Sequence, residues 1–277
     1  MPVNAKRLIR KMRGGAQAHL LECDDGRFYV VKFVNNPQHR RILVNEWVSS
    51  VFLRFLHISA PDVAFVNLSA GFLEANPDVH LQLGTHRLAV EPGWHYGSCY
   101  PGDPSRITVY DFIPDILLEK VANLDEFLGV LAFDKWMGNA DARQSIFFRA
   151  RLKDRPQPAG EHALRLGFAA YMVDHGYVFE GPHWTFTDSP LQGLYFRPIV
   201  YQKVRSWHDF QPWLDRITNF PEEVVDQAYK QIPPQWLAGD EGELEALLAK
   251  LLARRKRVPD LIRASQHGRV NPFPNWK

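Results

Sequence analysis

Cysteine is nearly absent from this chain of 277 residues. Cys23 and Cys99 are too few for a disulfide framework at this length, so a reducing compartment is expected. Long apolar runs are missing too, and none approaches the roughly 20 residues that cross a bilayer. The basic stretch from Met1 to Met12 has no apolar segment behind it, so it does not read as a secretory signal. Surplus charge is lacking: 33 Lys and Arg oppose 31 Asp and Glu, a net of +2. That leaves no global field to draw nucleic acid or an anionic membrane. No internal repeat or low-complexity tract is visible. What is present is ordinary for a folded protein, with 45% hydrophobic, 13% aromatic and 23% charged residues. The expectation is a cytoplasmic globular protein of one large or two smaller domains, with no direct nucleic-acid or membrane partner.

The first third reads as strands around one helix. Lys6 to Met12 and Ala18 to Glu22 flank Gly14-Gly15, and Asp24-Asp25-Gly26 turns into a third strand, Arg27 to Phe33. Alternation there puts Phe28, Val30 and Lys32 on one face and Tyr29, Val31 and Phe33 on the other. A lysine thus shares a face with apolar residues, which is uncommon without a partner. Asn36-Pro37 predicts the start of a helix, capped by the amide, whose apolar positions Leu43, Trp47, Val48, Val51, Phe52 and Phe55 run to about His57. Glu46 lies inside it. Asp62 to Leu68 is another expected strand.

Residues 74–106 carry four prolines and little pattern, and read as an inserted loop with short strands near Leu81–Leu83 and Leu88–Val90. Ile107 to Phe112 is an expected strand ending the first lobe, placed at residues 1–112. Residues 113–277 read as mostly helical. A helix capped by Asn123 runs through Trp136 and ends at Gly138. A polar loop, residues 138–144, leads into a strand at Ser145–Phe148. A turn at Arg151–Gly160 and a partner strand, Leu164–Val173, follow, ending in Asp174-His175-Gly176. Leu244, Leu247, Leu248, Leu251 and Leu252 mark an amphipathic helix near the C-terminus.

Four features then line up in chain order: the turn Gly14-Gly15, the strand lysine Lys32, the helical Glu46 fourteen positions later, and the loop carboxylates Asp141 and Asp174. Moving a phosphoryl group from ATP requires such parts. Backbone amides freed by glycines approach phosphate, a lysine neutralises it, and a carboxylate fixes that lysine. One aspartate serves the accepting hydroxyl and a second holds Mg²⁺. A strand–turn–strand unit with one Asp before it and one after it delivers both carboxylates to the same end. Singly, each feature has a plain structural reading as a turn, a solvated lysine, an exposed glutamate or loop chemistry. Order and spacing together point to phosphoryl transfer.

The segments Arg13-Gly14-Gly15-Ala16-Gln17, Val30-Val31-Lys32-Phe33, Asn45-Glu46, residues 133–141 and Met172-Val173-Asp174-His175-Gly176 resemble the HipA-like kinases. Ile232 to Leu237 and Arg254 to Pro259 also fit the shorter subgroup of that family. The resemblance implies an α+β, two-lobed protein-kinase-like fold. Its N-terminal lobe would be an antiparallel sheet with one helix, and its C-terminal lobe mostly helical. It implies ATP and Mg²⁺ as cofactors and transfer to a hydroxyl, of a protein Ser or Thr by preference. Asp141 would be the catalytic aspartate and Asp174 the metal-binding one. Gly14, Gly15, Ala16, Gln17 and Lys32 would hold the nucleotide, with Glu46 pairing Lys32. The strand holding Tyr110 and Phe112 would offer its backbone to adenine. Better-known members read Asp-x-His-x-x-Asn, whereas Arg143 and Ile146 occupy the last two positions here. Ile146 cannot bind metal, which leaves Gln144 and Asn139 as candidate second ligands. Arg143 either contacts the transferred phosphate or holds the loop together. The departure keeps open a nucleotide-binding pseudokinase acting as a partner-binding module. A lipid or small-molecule kinase is a further alternative. An antitoxin-like partner is compatible with the family but not readable from the chain.

Other features read as structure. His95 with Cys99, and His80 with His86, lack the ligand count of a zinc site. Arg254 to Arg257 ends a helix where basic residues suit the dipole. Trp207, Trp213 and Trp236 are expected to pack the helical lobe.

Overall fold

The computed structural model describes residues 2–151, 166–268 and 271–277. The expected turn at 152–160 and the start of the strand after it lie outside the described residues. The chain begins with β1 (Val3–Lys11), β2 (His19–Cys23) and β3 (Phe28–Lys32), followed by α1 (Arg41–Leu56). Next come β4 (Val63–Leu68), α2 (Ala70–Ala75), β5 (His80–Leu83), β6 (His86–Ala89), β7 (Gly93–Cys99) and β8 (Val109–Tyr110). After α3 (Asp115–Leu118) and α4 (Glu126–Met137) stand β9 (Gln144–Arg151) and β10 (Leu166–Val173). The remainder holds α5 (Trp213–Thr218), α6 (Glu222–Lys230), α7 (Pro234–Leu237), α8 (Glu241–Arg254) and α9 (Val258–Gln266).

Alternation in β3 works as expected. Tyr29, Val31 and Phe33 are buried in the barrel core with Leu21, Cys23, Val66 and Leu68, so Val30 and Lys32 face the other way and line a cavity. The sheet is more than an antiparallel meander. Strands β1-β2-β3-β7-β4 form a closed barrel, completed by a parallel pairing of β1 with β4. The short helix α2 adds to the single helix expected here.

The largest departure is β7. Inside the expected insertion it pairs with β3 on one side and β4 on the other, as a full member of the closed barrel. Its sequence, Gly-Trp-His-Tyr-Gly-Ser-Cys, contains no branched aliphatic residue and reads as a loop. Gly97 is there for space: a Cβ on it would lie 2.5 Å from Val66 Cγ2 and 3.3 Å from Tyr29 Cβ. The neighbouring β5–β6 hairpin is the part of that stretch that was expected.

Three boundaries also differ. Asn36 ties a turn, accepting from Gln38 N and donating to Phe33 O, and α1 starts only at Arg41. Asn123 likewise does not cap α4: its amide exchanges hydrogen bonds with Ala170 of β10. Of the expected strand Ile107–Phe112 only Val109–Tyr110 forms, and it pairs with β9 rather than with the barrel. The second core is larger and surrounds α1 and α4, both buried on nearly every face, with their buried polar members Asn45, Glu46, Asp134 and Lys135 held by hydrogen-bond partners. Trp213 and Trp236 are buried in it and Trp207 packs against it. Among the described residues no helix is long and apolar enough to cross a membrane.

Candidate active site

A cavity of about 290 Å³ lies between the barrel and the β8–β9–β10 sheet. The turn after β1 (residues 13–17) borders it, as do Val30 and Lys32 of β3, Glu46 of α1, Tyr96 of β7, Gln144 and Ile146 of β9, and residues 172–175 after β10. Glycines 14 and 15, Ala16, Lys32, Glu46, Gln144 and Asp174, scattered in sequence, are thus brought to one space.

Lys32 is the centre of its charge arrangement. Its ammonium donates to Glu46 Oε1 and, at 2.8 Å, to Asp174 Oδ1. Burial alone would lower its pKa, but the two carboxylates outweigh that and hold it above the usual lysine range. Asp174 responds in kind: Lys32 holds its carboxyl below the usual carboxylate range, against the opposing effect of burial. Glu46 also accepts from the backbone N–H of His175 at 3.0 Å, so one carboxylate from α1 fixes both the lysine and the residue after Asp174. Tyr96, missed because β7 was missed, lies beside Glu46 at the cavity wall; burial first, then that carboxylate, pushes its phenol well above its usual pKa.

Asp174 sits at φ 59°, a left-handed conformation that non-glycine residues rarely adopt and that clusters at functional sites. Gly176 permits the chain to pass α1 closely, since a Cβ there would lie 2.6 Å from Ile42 Cγ2. His175 between them is buried and uncharged, its pKa lowered chiefly by burial and then by Arg143. Arg143 donates to its Nδ1, which leaves Nε2 to donate to Met172 O.

The loop after α4 chooses between the two roles open to Arg143 and corrects one candidate ligand. Arg143 does not face the cavity. Its side chain is 0% exposed and is paired with the equally buried Asp134 through Nε–Oδ2 (2.8 Å) and Nη2–Oδ1 (2.5 Å). Its remaining nitrogen donates to Val173 O at 2.8 Å. It therefore clamps the loop to α4 and β10, with four of its five N–H groups engaged inside the protein and the whole side chain buried away from a transferred phosphate. Asn139 is not available to a metal either. Buried, it donates to Asp134 Oδ1 and accepts from Asp141 N at 3.1 Å, so it shapes the turn that presents Asp141. Asp141 is exposed, receiving Ala142 N at 2.7 Å on Oδ1 and Gln144 Nε2 at 3.4 Å on Oδ2. Gln144 stands between the two aspartates in the chain's geometry: it contacts Asp141 and is paired in register with Val173, next to Asp174.

Gln17 also departs from a nucleotide-holding role for its side chain. Its amide is spent on Gln82, donating to the carbonyl at 2.7 Å and accepting from the N–H at 2.6 Å, which pins the turn to β5. Tyr110 and Phe112 turn away from the cavity, with Phe112 65% exposed, while Val109 and Asp111 line it. Among the described residues no three His, Cys, Asp or Glu side chains converge as a metal site.

Barrel, central helix and a lysine paired with both Glu46 and Asp174 define a protein-kinase-like architecture. Two crystal structures of the Golgi casein kinase, one with Mn and ADP bound, share that fold. Each has a TM-score of 0.53 and 13% identity; they cover 96% of this chain, and the matched regions are 74% and 73% of those chains. No curated protein matches the sequence. The family description "HipA-like kinase" matches residues 5–148, more than half of the chain, and the protein belongs to that family. The match includes Gly14, Lys32, Glu46 and Asp141 and stops before Asp174.

Proposed function

We propose that the protein is an ATP-dependent kinase that transfers the γ-phosphate to a hydroxyl, of a Ser or Thr in a protein substrate. The observation that carries this reading is Lys32, bonded at once to Glu46 and Asp174 at the edge of the cavity bordered by the Gly14-Gly15 turn. In this reading Lys32 and the glycine turn bind the phosphates, and the hinge backbone near Val109 and Asp111 receives the base. Asp141 Oδ accepts the proton of the incoming hydroxyl. The carboxylate of Asp174 and the amide oxygen of Gln144 are hard oxygen donors suited to Mg²⁺ or Mn²⁺, a pair of ligands to be completed by phosphate and water. When bound, such an ion supplies neutralisation of phosphate charge. The N-terminal lobe is proposed to end near residue 112.

The test is transfer of labelled γ-phosphate, with Asp141→Asn as the decisive variant. Asp141 is exposed and its neighbours tolerate an amide, so the fold should persist. Transfer is expected to fall by about 10²–10⁴-fold, the range for loss of a positioned general base, with ATP affinity within a few-fold. Unchanged turnover would remove Asp141 from the chemistry. Ile146 at the cavity wall favours one rival, a nucleotide-binding pseudokinase. That reading gains if ATP with Mg²⁺ raises the melting temperature while no label reaches self, protein or lysate.

A further inference from the structure

The residue before Glu46 does work that the proposed catalytic set does not include. Asn45 is wholly buried on α1, and its one amide meets four partners. Nδ2 donates to the carbonyls of Gly176 (2.7 Å), Gly181 (2.9 Å) and Val178 (3.1 Å), and Oδ1 accepts from Trp184 Nε1 at 2.9 Å. Two hydrogens thus serve three carbonyls that converge on a single nitrogen. The segment so gathered begins two residues after Asp174 and is not held by its own conformational preference. Phe179, Glu180 and Trp184 all have φ between 53° and 57°, in the left-handed region.

Neighbours on the same helix face complete the grip. Arg41, one turn before Asn45, donates to Pro182 O at 3.1 Å and stacks on the Trp184 ring at 4.2 Å. Ile42, one turn before Glu46, fills the space that Gly176 leaves. Residues 41, 42, 45 and 46 form one stripe of α1, by the i, i+4 rule. Arg41 is fixed in turn by Asp240 at 2.8 Å and by Glu243, at the start of α8.

We infer that Asn45 is a positioning residue for nucleotide–metal binding: it locks the segment after Asp174 to α1, so that Glu46 and Asp174 keep a fixed relation to Lys32. This rests on the kinase reading for the identity of the ligand, though not for the lock itself. Removal of the amide frees the three carbonyls and lets Asp174 leave its left-handed setting.

The experiment compares wild type with Asn45→Leu, which keeps the volume class and removes every hydrogen bond, and with Trp184→Phe, which deletes one N–H and keeps the stacked ring. Ile262→Ala, in the buried face of α9, is the control for general destabilisation. Two readouts are taken: amide hydrogen exchange across residues 175–184, and the Mg²⁺ concentration that half-saturates ADP binding by calorimetry. Asn45→Leu should raise exchange in that segment by at least about tenfold and shift the Mg²⁺ midpoint upward by a similar factor, with Trp184→Phe shifting both by less. ADP affinity without Mg²⁺ should stay within a few-fold, and the control should move neither readout. Wild-type exchange at 175–184 in both variants overturns the lock. Raised exchange with an unmoved Mg²⁺ midpoint overturns the positioning role. Absence of nucleotide binding by the wild type would overturn the kinase reading itself and the role inferred from it, while the exchange result would still decide the lock.

Discussion

Arg143 offers the sharpest test of the site's physical logic, because its sequence position suits two incompatible roles. The structure buries it against Asp134 with both side chains 0% exposed. Arg143→Met preserves most of the chain length and removes the charge. Asp134 is then left in the interior with only the Asn139 amide as side-chain partner. Burial already pushes this carboxyl above its usual pKa even with Arg143 present, so it has little capacity to remain ionised alone. Breaking a buried pair from one side costs about 3–5 kcal/mol. The lost hydrogen bonds to Val173 O and His175 Nδ1 belong within that figure at about 1 kcal/mol each. Against a total stability of roughly 5–15 kcal/mol this is a large fraction. Asp134→Asn should cost a similar amount by stranding the guanidinium. The double variant has no stranded charge, and should cost less than the two singles added by at least about 2 kcal/mol. Urea unfolding followed by the fluorescence of the eight tryptophans measures all four proteins. A loss below about 1 kcal/mol in Arg143→Met, with abolished transfer, would refute the clamp and return Arg143 to the phosphate.

Two further predictions address the fold and its pH dependence. Gly97→Ala should destabilise by about 1–3 kcal/mol, because its Cβ would overlap Val66 and Tyr29 across two strand pairings of the barrel; a neutral substitution in urea unfolding would show that β7 packs elsewhere. Lys135 is buried, donating to Ser189 O and Pro190 O, and burial brings its pKa down to about 8 against the pull of Asp134 and Asp188. Between about pH 8 and the unfolded value near 10.4 the unfolded chain holds a proton that the folded chain has released, so stability rises with pH across that window and is flat below it. Relative to Lys135→Met, the wild type should gain about 1–3 kcal/mol from pH 8 to pH 10; a pH-independent difference between the two would sink the assignment.

How far the sequence alone reaches depends on the range of the interactions involved. Lys32 was legible because the alternation of β3 is local: six residues suffice to say that it shares a face with Val30 and needs a partner. Glu46 and Asp174 followed from chain order and family resemblance. Motif spacing leaves Arg143 open between the phosphate and the loop and makes Asn139 a candidate ligand, since it says nothing about which way a side chain turns. What turns them is Asp134, whose neighbourhood in sequence is an apolar helix where an unpaired carboxylate would be the anomaly to question. That buried Asp, five positions before Asn139 and nine before Arg143, is the signal that could have corrected the reading. Strand β7 was lost for a different reason. Its glycines and aromatics are chosen for close approach to two neighbours at once, and a pattern based on branched aliphatics cannot detect that.

The packing also says where the site's charges have to meet. The barrel has its own core, built from β2, β3, β4 and the chain around α2. Helix α1 lies between barrel strands in sequence, yet its apolar side chains belong to the other core, with Trp236 of α7 and Phe220 beside α6. Arg40 and Arg41 add ion pairs to Asp240, and Asn45 adds the tie to residues 176–184. Glu46 and Asp174 are therefore tied to the second core and Lys32 to the barrel, while Tyr96 of β7 is buried in that second core and Phe65 of β4 packs against it. The two ion pairs of Lys32 span the junction together with the Trp47–Phe65 stack and the bond from Trp236 Nε1 to Trp94 O. In the proposed kinase reading, a phosphate beside Lys32 would compete with Glu46 and Asp174 for its charge.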